Sequence, residues 1–305
     1  MSTGALYLQQ IINGLSLGAM YALLALGFTL VYGILELINF AHFNVFMVAS
    51  FFGMAALELL GLSGQSHLLT GFALVGALLF ALVVTMVLSG VLGVVIERLA
   101  LRPLRGVPGT AAMITTIGVS YILLNIVLLT LGAGSWNFPN PMPRFSWNIG
   151  GAVLELRSIL IWVIAVVLMT GLHLFVTRTR LGKAMRATAA NRDLARNCGI
   201  RTDRVVMATW LITGSLCGLA GVVFGMDSGT FGATSTDIFL VLILAAVFLG
   251  GPGEPYGAMV GALVIGLATE ISAAFIVSDY KYVVAFVILL GMLAVRPTGL
   301  LGARA

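Results

Sequence analysis

Apolar residues along this chain come in long unbroken runs rather than at helix or strand spacing. Residues 1–35, 59–96, 106–143, 158–177 and 205–226 contain no Asp, Glu, Lys or Arg. Such runs predict helices that are apolar on every face, and about 20 residues of this kind cross the roughly 30 Å of a bilayer's hydrocarbon. The pattern places spans over 10–33, 39–60, 70–95, 110–131, 158–177, 205–226, 237–250, 256–277 and 282–295. Runs 238–249 and 282–295 are short for a crossing, and "LGGPGEPYGAMVG" (249–261) is broken by prolines and glycines. Short, interrupted segments of this kind occur where protein or a water-filled path covers the backbone. The expectation is an all-α, polytopic transmembrane helical bundle of about eight to ten spans, with short or broken helices in its C-terminal third. Residues 1–305 read as one membrane domain without a soluble domain or an internal repeat.

Composition agrees. Of the 305 residues, 60% are hydrophobic and 9% charged, against roughly 25% charged in soluble domains. The net charge of +5 does not point to nucleic acid, because the basic residues lie between apolar runs, where they set orientation. One face would hold Arg98, Arg102, Arg105, the basic residues from Arg178 to Arg204, Arg296 and Arg304. That leaves only Arg144, Arg157 and Lys281 of the 16 basic residues for the other face. The positive-inside rule then puts segment 178–204 and the C-terminus in the cytoplasm, and nine spans put the N-terminus outside. The first apolar run has no basic region ahead of it and reads as a retained span rather than a cleaved signal. Cys198 and Cys217 have neither metal spacing nor a plausible shared location for a disulfide.

Glycine is abundant, and small-xxx-small spacing recurs at Gly14/Gly18, Gly214/Gly218, Gly221/Gly225 and Gly257/Gly261. Such pairs let helix backbones approach closely in lipid and are read as packing within the chain. The segment "TRTRLGKAMRATAANRDLARNCGIRTDR" (177–204) predicts one basic amphipathic helix over 181–197 with Gly199 as its C-cap. Leu181, Ala184, Met185, Thr188 and Ala189 share one face. That face could rest on anionic lipid or dock in another protein's groove, and its small, alanine-rich surface suits the groove better. The loop 132–157, with Trp136, Trp147, Pro139, Pro141 and Pro143, reads as a stiff loop anchored at the membrane interface or as a docking surface.

No P-loop, HExxH or potassium-filter motif is present, and the three histidines, His42, His67 and His173, support no catalytic set. Candidate chemistry therefore rests on "YGILELINFAHFNVFMVAS" (32–50), where Glu36, Asn39, His42 and Asn44 interrupt apolar sequence. If 36–47 is helical, Glu36, Asn39 and His42 share an arc. Costly intramembrane polar groups turn toward protein or water. Two readings stay open. Glu36 and Asn39 start a helix while His42 bonds a neighbour, or the segment lines a pathway or gate. Thr115 and Thr116 of "MITTIGVS", and Asn125, are further pathway candidates, and Glu270 is a further buried acid, read as a structural partner rather than a ligand.

"NGLSLGAMYALLALGFTLVYGILELINFAH" (13–42), the basic segment "RTRLGKAMRATAANRDLARNCGI" and "LGGPGEPYGAMVGALVIGLATE" resemble, in order, the signatures of LivH-type permeases. These are membrane subunits of ABC importers for branched-chain amino acids, urea or short-chain amides. The resemblance implies a second, LivM-like permease subunit, two cytoplasmic ATP-binding subunits and a periplasmic substrate-binding protein in the bacterial inner membrane. It implies that this chain is not an enzyme, binds no cofactor or metal, and is driven by ATP hydrolysed on its partners. It gives the basic segment an ATPase-coupling role, carried by Leu181, Gly182, Ala184, Met185, Thr188, Ala189, Asn191 and Gly199. The family usually follows "NFAH" with glycine and an acidic residue, whereas Phe43 and Asn44 stand here. That departure bears on the substrate, not on the family. The reading from another class is a self-sufficient secondary transporter or channel, which would need ion-coupling acids at mid-membrane.

Overall fold

A computed structural model describes residues 3–62, 69, 71–104, 109–139, 145–235, 237–275, 280–296 and 298–301. Arg105, Arg144, Arg304, His67, Pro141 and Pro143 lie outside the described residues. Among the described residues, nine apolar helices form the body: α1 (Thr3–Leu35), α2 (Ala41–Glu58), α3 (Gly71–Ile96), α4 (Gly109–Leu131), α5 (Leu156–Arg178), α8 (Thr202–Ser228), α9 (Asp237–Gly250), α10 (Pro255–Ser272) and α11 (Lys281–Val295). Seven of these stretches are long and apolar enough to cross a membrane, while α9 and α11 are shorter. The fourteen residues of α9 reach only about 21 Å at 1.5 Å per residue. Two small helices, α6 (Arg180–Ala190) and α7 (Arg192–Asn197), carry the basic segment.

The loops that sequence reading treated as irregular contain two ladders. Strand β1 (Trp136–Asn137) pairs antiparallel with β4 (Thr230–Phe231), and β2 (Ser146–Ile149) with β3 (Ala152–Glu155). The first ties the α4–α5 connection to the end of α8, and the second is a hairpin within that connection. This is the ladder end of the bundle; the opposite end, which carries α6 and α7, is the basic end.

Burial grades the spans. In the most apolar stretch of α1, 83% of residues are buried, against 17% in α4 and 11% in α5. Thus α1, with α2 and α8, is core, while α4 and α5 are rim. Glycine sets the closest contacts. Gly14 and Gly18 face α10, where a Cβ on Gly266 would lie 2.4 Å from Gly18 Cα. Gly214 and Gly218 meet the backbone of α3, Gly221 meets α2, and Gly225 meets the ring of Phe138. Gly257 and Gly261 pack on α9, with a Cβ on Gly261 falling 2.1 Å from the Ala246 carbonyl oxygen. All four predicted small-residue pairs are packing sites within the chain, which suits lipid, where close van der Waals approach is a principal source of helix association. The α9–α10 break is a tight turn through Gly251 and Gly253, both at positive φ, with Pro255 opening α10.

Candidate functional site

The polar cluster at 36–44 is not one helix. Helix α1 stops at Leu35, and Glu36 takes a left-handed φ of 50°, the only described non-glycine residue to do so. The helical arc joining Glu36, Asn39 and His42 therefore does not form. Glu36 is exposed at the basic end, whereas Asn39 and His42 are buried. Asn39 Oδ1 accepts from the Ala41 amide at 3.1 Å and starts α2. His42 is held 3.0 Å from the Leu24 carbonyl oxygen of α1 and beside Cys217 of α8. Phe43 is buried against Phe28 and the His42 ring.

Between α1 and α2 the helical ladder is interrupted, and at Phe40 α4 supplies the partners. The Phe40 amide donates to Thr116 Oγ1 at 3.2 Å, and Ser120 Oγ donates to the Phe40 carbonyl at 3.4 Å. Asn44 Nδ2 donates to Ser120 Oγ as well. Non-helical backbone deep in a membrane protein needs such satisfaction. Thr116 thus clamps the break, and Ser120, which sequence reasoning missed, shares the work. Thr115 bonds back to Ala111 O, and the exposed Asn125 to Tyr121 O, each within its own helix. None of the eight residues Glu36, Asn39, His42, Phe43, Asn44, Thr115, Thr116 and Asn125 lines either of the two cavities below.

The basic segment is a two-helix corner rather than the single helix predicted over 181–197. Thr179 Oγ1 accepts from Gly182 N and caps α6; Asn191 ends α6 and caps α7 by accepting from Leu194 N at 2.8 Å. After α7, Gly199 N bonds Arg196 O and Ile200 N bonds Ala195 O, with Gly199 at φ 84°. This is the Schellman ending expected of a glycine at that place. The predicted apolar face turns inward. Met185 and Thr188 are buried, Leu181 and Ala184 are half-buried, and only Ala189 is exposed; α6 packs on α1, α5 and α8. On α6 the exposed positions include Lys183, Arg186, Ala189 and Ala190, and the corner and α7 add Asn191, Asp193, Leu194, Arg196 and Asn197. Gly182 is required at the corner, because a Cβ there would lie 2.4 Å from both the Phe175 and Val176 carbonyl oxygens.

A largely apolar cavity of about 300 Å³ opens beneath α6, between α1, α5 and the start of α10. A second, polar cavity of about 480 Å³ lies at the ladder end among α1, β3, α5, α8, α9, α10 and α11. It holds Glu155, Arg157, Asp227, Glu270 and Lys281 beside the apolar side chains of Leu17, Met20, Phe224, Ile238 and Phe239. Lys281 Nζ donates to Glu270 Oε1 at 2.6 Å. The Gln10 amide, in its donating orientation, reaches Glu270 Oε2 at 3.2 Å. Glu270 thus has the structural partner expected of it. Arg157 donates to Met226 O and Asp227 O and pairs with Glu155 at 3.0 Å. Sequence reading passed over Arg157 and Asp227. The available signal was the charge skew, since Arg157 and Lys281 are two of its three exceptions.

The family model described as branched-chain amino acid transport system / permease component matches residues 10–293. The chain is 37% identical to the high-affinity branched-chain amino acid transport system permease protein BraD of Pseudomonas aeruginosa, over 97% of this chain and 96% of that protein. Identity to LivH of Escherichia coli K12 is also 37%, with the same coverage. A more distant relative, the autoinducer 2 import system permease protein LsrC of Yersinia pseudotuberculosis, is 28% identical over 73% of this chain and 62% of its own length. No solved structure matches the chain to a significant degree. Matched along nearly its entire apolar body, the chain belongs to the family of branched-chain amino acid transport permease components.

Proposed function

We propose that this chain forms one half of the translocation path of an importer for branched-chain amino acids in a bacterial inner membrane. The 37% identity to two such permeases over 97% of the chain carries the reading. In this scheme the other half is a LivM-like permease. Two cytoplasmic ATPases engage the exposed side of α6 and α7, and a periplasmic binding protein delivers substrate to the ladder end. ATP is consumed by the partners, and this chain holds no cofactor or metal. The segregation of charge supports the orientation: Arg98, Arg102, the α6–α7 corner and Arg296 share the basic end, whereas Arg157 and Lys281 sit at the ladder end. The C-terminus then lies in the cytoplasm.

The rim helices support a partner within the membrane. Asn125 is exposed in the middle of α4, and a polar side chain there favours protein over lipid. The remaining exposed apolar surface meets lipid. A self-sufficient ion-coupled transporter is less well supported, because Glu270, the clearest acid within a span, is engaged by Lys281 and Gln10. The test is affinity purification of the tagged chain from its native membrane, then reconstitution with what accompanies it. Recovery of two P-loop ATPases and a second permease, with leucine uptake that needs both ATP and the binding protein, is the expected result. Recovery of the chain alone, with uptake driven by an ion gradient, would overturn the scheme.

A further inference from the structure

We infer that the ladder-end cavity is a binding site for a free zwitterionic amino acid. The inference rests on the transport reading above and names the place in this chain where the solute first lodges. Its centre is an ion pair that is left incomplete. Asp227 Oδ1 lies 3.7 Å from Arg157 Nε, beyond hydrogen-bond range, and Arg157 Nε is buried without a partner. Both residues line the cavity. Glu270, nearby, has both carboxylate oxygens engaged. The cavity therefore holds Glu270 paired with Lys281, Glu155 paired with Arg157 at 3.0 Å, and Asp227 3.7 Å from the Arg157 Nε that neither pair uses.

A buried donor without an acceptor is costly, and a charged one more so. A ligand carrying both charges gives Arg157 Nε the acceptor it lacks and gives the Asp227 carboxylate a donor. Its ammonium meets the Asp227 carboxylate and its carboxylate accepts from Arg157 Nε, since Nη1 already donates to Met226 O and Asp227 O and Nη2 faces Glu155. The formal charge of the cavity, three carboxylates against two cations, admits a neutral zwitterion without adding net charge. Beside the pair, Leu17, Met20, Phe224, Ile238 and Phe239 form an apolar wall that suits an aliphatic side chain. The volume of about 480 Å³ falls in the range of about 300–1,000 Å³ typical of small-molecule sites.

The test uses the assembled transporter co-purified with this chain, in lipid nanodiscs and without binding protein. The exposed Cys198 is replaced by Ser, and Ser228, which lines the cavity, by Cys. Alkylation by a maleimide is followed by mass spectrometry of the peptide carrying residue 228. Leucine should slow the reaction, whereas leucinamide, which lacks the carboxylate, and 4-methylpentanoate, which lacks the ammonium, should not. Asp227→Asn and Arg157→Gln should each raise the leucine needed for protection by about 10- to 100-fold. Because the cysteine variant could disturb assembly, the unmodified transporter is also melted with each compound, and only leucine should raise its midpoint. Protection by leucinamide equal to that by leucine would overturn the inference, and so would no effect of leucine in either assay. Leucine uptake by the unmodified transporter separates the two claims. Uptake without protection refutes the site alone, and protection without uptake refutes the transport reading while the site stands.

Discussion

Replacing Gly182 with alanine sets two opposite effects against each other. Within a helix the change ordinarily gains about 1 kcal/mol, because alanine has the better propensity. Here the new Cβ would lie 2.4 Å from the Phe175 and Val176 carbonyl oxygens and 2.6 Å from the Val176 carbonyl carbon. Ordinary contacts fall at about 3.5–4.0 Å, so the overlap is about 1 Å. It falls on the backbone of the last turn of α5, which cannot rotate away as a flexible side chain would. Overpacking costs about 1–3 kcal/mol, and a clash with two carbonyl groups belongs near the top of that range. The net effect should be a loss of about 2 kcal/mol, roughly 30-fold against the packed corner. The chain can relieve the clash by lifting α6, which withdraws Met185 and Thr188 from the bundle. The assay is leucine uptake per ATP hydrolysed by the reconstituted transporter, together with its thermal midpoint. Both should fall in Gly182→Ala, whereas Lys183→Ala, whose side chain is exposed on the next residue, should leave the midpoint unchanged. An unchanged midpoint and an unchanged ratio in Gly182→Ala would refute the reasoning.

Three further outcomes are expected. Glu36→Gly should stabilise the chain by about 1 kcal/mol, because a left-handed backbone costs a non-glycine residue about 1–2 kcal/mol and glycine returns part of that as unfolded-state entropy; a lower thermal midpoint would count against it. Phe43→Ala should cost about 3–5 kcal/mol, because the ring is 3% exposed; a stable variant with altered substrate range would instead return residue 43 to the pathway. Cys198, exposed in the α7 ending, should react with a membrane-impermeant maleimide only from the cytoplasmic side, while the buried Cys217 stays unlabelled from either side; labelling of Cys198 in sealed right-side-out vesicles would invert the topology.

Much of this molecule was determined by sequence alone, and the reason is the solvent. A bilayer demands about 20 apolar residues for each full crossing and penalises charge within it, so the spans and the sorting of basic residues to one end can be read from composition along the chain. Glycines 14, 18, 214, 218, 257 and 261 were legible too, since close backbone approach needs a residue without a side chain. Local chemistry at Gly199 and Pro255 marked where helices end and begin. Three matters were decided by tertiary structure. The break at 36–40 is held where hydroxyls of α4, some 76 residues away, meet the Phe40 backbone. The apolar face of α6 turns inward because α1, α5 and α8 cover it, and amphipathic spacing cannot say which neighbour does the covering. The cavity arises because Arg157 at the start of α5 meets Asp227 at the end of α8, a separation of 70 residues. Antiparallel packing brings span ends from distant parts of the sequence to the same side of the membrane, so charges that read as isolated loop residues become one site.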